Sequence, residues 1–243
     1  MKLRHYIPRV TLTLYAPLIC GVCLLLGSAA SANQAQLILD FGSAEGRTSP
    51  EATDFKAELP PGGEYQLLTN AARIAYGEVD GFQNASLLRT FLGLGNGATY
   101  DFIIEADTRV YTSESSLNRR WGIHLFNSGD TRYRGISAQV MGAKSRKHRE
   151  IALRYGLDGK LITTAILGPG SFKDGQEYSF KVVGEFLNET DLKLSLTVSD
   201  GTNTQTVSSV IESTYHTDTQ FGLSARLRSG WVLDFYNFKV TLP

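Results

Sequence analysis

Residues 219–243 read TQFGLSARLRSGWVLDFYNFKVTLP, two apolar runs joined by the turn formers Ser229 and Gly230. In the first run Phe221, Leu223 and Ala225 alternate with Gly222, Ser224 and Arg226. In the second, Val232, Asp234, Tyr236, Phe238 and Val240 face one way, and Leu233, Phe235, Asn237, Lys239 and Thr241 the other. A period of two, rich in aromatic and β-branched residues and broken by a Gly-containing turn, predicts a β-hairpin. The second run carries so many large apolar groups that it must lie between other strands. At a sheet margin it would invite aggregation.

Working outward from this pair, the rest of the chain reads as further strands. Thr99–Tyr111 is the longest alternating run of the first half, with Glu105, Asp107 and Arg109 on one face. Arg120–Phe126, Tyr133–Met141 and Glu150–Tyr155 follow, then Tyr178–Leu187, Leu192–Val198 and Thr204–Ile211. Leu157-Asp158-Gly159-Lys160 and Ser199-Asp200-Gly201-Thr202 are hairpin turns of the Asp-Gly kind, which need positive φ. About a dozen short strands with hairpin-like connections, and no amphipathic helix, predict an all-β fold: an antiparallel two-sheet β-sandwich of jelly-roll type. No fixed-period repeat is present, which excludes a propeller or solenoid.

The first 32 residues belong to a different class. Lys2, Arg4 and Arg9 precede an uncharged apolar run, and Ala30-Ser31-Ala32 fits the cleavage rule, so residues 1–32 are expected to be a signal peptide. Val10–Ala32, at 23 residues, is also long enough for a retained anchor. Pro17, the small residues at its end and the cleavage site favour removal. Cys20 and Cys23 raise a lipoprotein, but Ile19 and Val22 stand where a small residue is needed. Residues 33–243 then form one domain, secreted or held in the periplasm or cell envelope, with no membrane span and no cysteine. The leader holds three of the 24 basic residues and none of the 24 acidic ones, leaving 21 against 24. A net charge of −3 gives no reason to expect nucleic acid as a partner.

Phe102–Asp107 (FIIEAD), Trp121–Phe126 (WGIHLF), Tyr133, the hairpin at Tyr155–Leu161, the strand Glu177–Val183 and the terminal Phe221–Phe238 segment follow one another as in a known family. Over Thr99–Leu242 this order resembles the concanavalin A-like lectin/glucanase jelly rolls, nearest to the laminin-G-like branch. That superfamily hosts lectins, adhesion modules, glycoside hydrolases and polysaccharide lyases, so the likeness implies a fold and leaves function to the site. Its glucanases carry an E-x-D-x-x-E strand. Here Glu105 and Asp107 share a strand face, but Val110 stands where the third acid would be. Its lyases imply a His–Tyr acid/base pair, for which His124 and Tyr236 are the candidates, without the surrounding motif. Structural calcium in such jelly rolls would fall on Asp40 and Asp234, where the bland alternative is a hydrogen bond to a neighbouring loop. Neither histidine spacing nor cysteine supports zinc. No cofactor and no metal site are therefore assigned.

The most informative surface feature is basic and aromatic. Arg120, His124, Arg132, Arg134 and Arg154 are the candidate ligand-binding residues, because Arg pairs bidentately with uronate or sulfate and sugar rings stack on aromatic faces. Solvated arginines outside, with Trp121 and Trp231 in the core, is the competing description. The expected function is an exported, non-catalytic module binding a polysaccharide or glycoconjugate. A hydrolase or lyase, or a structural or adhesive envelope protein, are the alternatives.

Overall fold

The structure, a computed structural model, describes residues 36–40, 56–59, 63–68, 71–76, 83–90, 101–112, 119–127, 131–142, 147–212, 218 and 220–242. The expected leader, the expected 42–53 loop and the middle of the basic loop before His148 lie outside them. Every element among the described residues is a strand. The order is β1 (Gln36–Asp40), β2 (Lys56–Glu58), β3 (Gly63–Leu67), β4 (Ala72–Tyr76), β5 (Gln83–Thr90), β6 (Phe102–Tyr111), β7 (Arg120–Asn127) and β8 (Ile136–Gly142). Then come β9 (His148–Tyr155), β10 (Leu161–Pro169), β11 (Gln176–Phe186), β12 (Asp191–Ser199), β13 (Thr204–Glu212), β14 (Gln220–Leu227) and β15 (Val232–Thr241).

They form two antiparallel sheets. The eight-stranded sheet runs β13-β12-β11-β6-β15-β4-β3, with β1 also on β15, and the seven-stranded sheet runs β10-β9-β8-β7-β14-β5-β2. β15 is interior, as its apolar content demands: β6 flanks one side, and β4 then β1 share the other. Inward residues of both sheets interdigitate. Trp121 of β7 packs on Phe172 and Tyr178, at ring distances of 4.5 and 5.4 Å, and its indole N–H donates to Thr108 Oγ1 of β6 at 3.0 Å. Phe102, Phe126 and Phe221 form a second cross-sheet cluster. Both tryptophans are fully buried.

The terminal pair is not a hairpin. β14 pairs with β7 and β5, β15 with β6, β4 and β1, so the Ser229–Gly230 turn arches from one sheet to the other. The turn is fastened to β4, for Gly230 N donates to Tyr76 O and Tyr76 N to Trp231 O, both at 2.9 Å. A period of two and a Gly turn are common to hairpins and arches. What separates them is where the apolar faces go, and here each strand has its own partners and the two apolar faces line one core.

The alternation in β15 is also interrupted. Leu233, Phe235, Phe238 and Val240 are all buried, so the inward set changes parity. A β-bulge between Phe235 and Asn237 does this, with Tyr236 as the extra residue against β6. The bulge sits where β15's other edge passes from β4 to β1. It turns Tyr236 and Asn237 outward together. Two smaller corrections concern turns. Tyr133 and Arg134 belong to the 131–135 turn, not to the strand, which starts at Ile136. In the β9–β10 connection positive φ falls on Gly156 (59°) rather than Gly159. Gly159 is needed for room instead, since a Cβ there would run into the carbonyl oxygen of Tyr155.

Candidate functional site

The outward face of the seven-stranded sheet collects the predicted arginines. Register places Arg120 of β7 directly opposite Arg226 of β14, so both project on the same side. The β9–β10 turn reaches back over this face, held by Leu157 N to Thr131 O and Asp158 N to Arg132 O, each 3.0 Å. Its Asp158 carboxylate, 9% exposed, is the meeting point. Arg120 binds one oxygen, Arg226 Nε lies 3.3 Å from that oxygen, and Arg132 Nε donates to the other at 3.1 Å. Arg154 stays beside them, donating Nη1 to Gly159 O at 2.7 Å. Three guanidinium groups thus gather on one carboxylate, with a fourth beside them.

Burial gives this cluster its electrostatic character. It pushes the Arg120 guanidinium below its usual pKa, against the attraction of Asp158 and helped by repulsion from Arg226 and Arg154. Burial lowers Arg154 as well, opposed by Asp158 and Glu150. The Nε atoms of Arg120 and Arg154 are buried without a hydrogen-bond partner. Crowded, partly desolvated guanidinium groups favour an incoming anion. At the rim, Tyr133 is 59% exposed with Arg132 over its ring at 5.0 Å, and Arg134 is exposed.

His124 differs from the other four predicted residues. It is fully buried, and the 131–135 turn closes over it. Its Nε2 donates to Arg134 O at 3.0 Å, which leaves Nδ1 to accept from Ser224 Oγ at 3.4 Å. Burial lowers its pKa to about 4. His124 therefore positions the turn that carries Arg132 and Arg134. The Ser224–His124 contact is buried too, and a carbonyl holds the second ring nitrogen where a nucleophile's base would need a carboxylate.

The lyase alternative requires groups that the fold separates. Tyr236 is turned outward from the eight-stranded sheet, while His124 belongs to the other sheet, with the core between them. Glu105 and Asp107 do share an outward face, but Glu105 lies between Lys239 (3.5 Å) and Lys181 (3.9 Å), and Asp107 accepts Asn237 Nδ2 at 2.8 Å. Asp234, the calcium candidate, gives both oxygens to Arg73 at 2.6 and 2.7 Å. Sequence reasoning missed Asp158 as the centre of the arginine cluster. The only signal was its Asp-Gly turn following Arg154, which speaks of backbone and not of side-chain destination.

The sequence matches no protein-family profile and no curated protein. Solved structures do match. Lectin II from Ulex europaeus superposes with a TM-score of 0.53 at 9% identity, over 86% of this chain and 98% of the lectin. A legume lectin-like domain from Entamoeba histolytica gives 0.53 at 13% identity, over 79% and 92%. A carbohydrate esterase from the Shiga toxin-encoding bacteriophage phi24B gives 0.52 at 12% identity, over 86% and 99%. At such identities the likeness is one of fold. This chain is an all-β, two-sheet sandwich of the concanavalin A-like jelly-roll fold, with legume lectins and L-type lectin-like domains as its structural neighbours.

Proposed function

We propose that this chain is an exported, non-catalytic glycan-binding module that takes an acidic saccharide on the outward face of its seven-stranded sheet. The observation that carries the reading is the convergence of Arg120, Arg132 and Arg226 on the single carboxylate of Asp158, with Arg154 beside them. A uronate or sulfate group would enter this cluster as a second anion, with paired N–H···O bonds of the kind guanidinium groups favour. Tyr133 supplies an exposed ring beside it for a sugar face. Arg132 and Arg134 are the accessible contacts, and His124 holds their turn in place. Structural neighbours support a saccharide ligand: one is a lectin complexed with galactose, another the exoplasmic/lumenal domain of VIP36 in a Ca2+/Man3GlcNAc-bound form. Export rests on the leader reading of residues 1–32, and the lumenal nature of VIP36 agrees with it.

The test is retention of residues 33–243 on immobilised polygalacturonate and heparin, followed by titration with the polymer that binds. The parent should bind in a salt-dependent manner. The Arg132→Ala/Arg134→Ala double variant should lose at least about tenfold in affinity, which corresponds to ~1.4 kcal/mol. Failure of the parent to bind either polymer, or equal binding by the double variant, overturns the proposal.

A further inference from the structure

The opposite side of the sandwich carries a second feature, and it follows from strand register. On the outward face of the eight-stranded sheet, Asn237, Asp107, Ser179 and Ser199 stand in one row across β15, β6, β11 and β12. All have short side chains. The row on one side is Asp234, Arg109 and Glu177, in which Arg109 and Glu177 are ion-paired. The row on the other is Lys239, Glu105 and Lys181, again joined by ion pairs. Short groups between two ridges of long, paired ones leave a trough. It spans three strand spacings, about 14 Å, and opens a cavity of about 410 Å3. That volume lies in the roughly 300–1,000 Å3 range of ligand clefts.

Its chemistry differs from that of the arginine face. Glu105 and Asp107 balance Lys181 and Lys239, so the trough does not select an ion. Its floor mixes acceptors and donors: the Asp107 carboxylate, the Asn237 amide bonded to it, and the hydroxyls of Ser179 and Ser199. Sugar hydroxyls, each both donor and acceptor, meet such a floor well. The bulge in β15 adds an apolar element. It turns Tyr236 outward next to Asn237, with Arg109 against the ring at 5.2 Å. Bulges re-aim side chains next to binding sites in this way. Ion pairs from Glu105 to Lys181 and Lys239 hold that wall of the cavity in place.

We infer that this trough is a second carbohydrate site, which takes an uncharged, hydroxyl-rich saccharide segment across β15, β6, β11 and β12. It is independent of the arginine face, and a chain with both sites would bridge two polymers.

Affinity electrophoresis of residues 33–243 through gels holding dextran, mixed-linkage β-glucan or galactomannan tests it. The parent should be retarded by at least one of them. Ser179→Leu fills the floor at an exposed position and should weaken that retardation about tenfold or more, with an unchanged melting temperature. Tyr236→Ala should weaken it less. Relative to a polymer-free gel, the Arg132→Ala/Arg134→Ala variant should be retarded as much as the parent, and Ser179→Leu should bind acidic polymer like the parent. No retardation in any of the three gels, unchanged retardation of Ser179→Leu, or loss in the arginine variant instead would overturn the inference, whatever happens on polygalacturonate and heparin.

Discussion

His124 illustrates how a chemically capable side chain becomes a support. In an unfolded chain imidazole titrates near 6.5. In the fold, burial lowers it to about 4, while its bond to Arg134 opposes the shift. Between those pH values the unfolded chain binds the proton and the folded chain does not. His124's contribution to stability is thus complete above pH ~6.5 and is lost as pH falls through 4, amounting to about 3 kcal/mol at full protonation. Urea unfolding at pH 7, 5.5 and 4 should show His124→Gln less stable at pH 7 but with a shallower loss on acidification than the parent. Parallel losses in the two proteins would mean that other groups carry the acid sensitivity. At this scale the sequence was legible in residue type only. Arg120, Arg132 and Arg154 do assemble, yet Asp158, to which the first two turn, sits 38 positions after Arg120 and shares no local pattern with it.

Among the elements, β15 was both the best and the least well read. Its apolar density demanded an interior position, and it has one. Its alternation, taken as unbroken, placed Phe238 and Val240 with Tyr236, where the bulge instead puts them with Phe235. A local pattern cannot show a bulge that exists because the neighbouring edge changes from β4 to β1. The same holds for the arch at Ser229–Gly230, whose turn residues suit a hairpin equally well. Because strand faces alternate, register in β15 is testable by a one-residue change. Deleting Tyr236 leaves strict alternation and keeps Phe235, Phe238 and Val240 inside, so the variant should still unfold cooperatively. Inserting Ala after Asn237 drives Lys239 inward and Phe238 and Val240 outward, at about 3 kcal/mol or more. Thermal unfolding of the two variants distinguishes these outcomes, and comparable melting temperatures would refute the assigned register.

For the molecule as a whole, the two sheets are joined by more than apolar contact. Arg149 of β9 meets Asp200, in the β12–β13 turn of the other sheet, at 2.8 Å, with both side chains almost inaccessible. Arg149 also donates to Tyr178 Oη of β11 at 3.2 Å and to Pro169 O at 3.3 Å. Burial works against an ionised Asp200, but hydrogen bonds from Asn203 and Thr202 and the charge of Arg149 outweigh it and hold the carboxyl below its usual range. Removing one partner of a buried pair strands the other charge, so Asp200→Asn should cost about 3–5 kcal/mol by denaturant titration. A loss below about 1 kcal/mol would show that the pair is incidental to sheet-to-sheet cohesion. On this side β10 and β13 also lie against each other, so the outer margins of the two sheets cover one another.

The central place of β15 has a consequence for the order of assembly. Of the described strands, the one furthest along the sequence is the one that joins β11 and β6 to β4 and β1. Until it pairs, that layer of the sandwich is three separate pieces, β13-β12-β11-β6, β4-β3 and β1. Completing this layer therefore waits on pairings between residues about 130 positions apart, as at Asp107 and Asn237, a closure of long loops that slows folding.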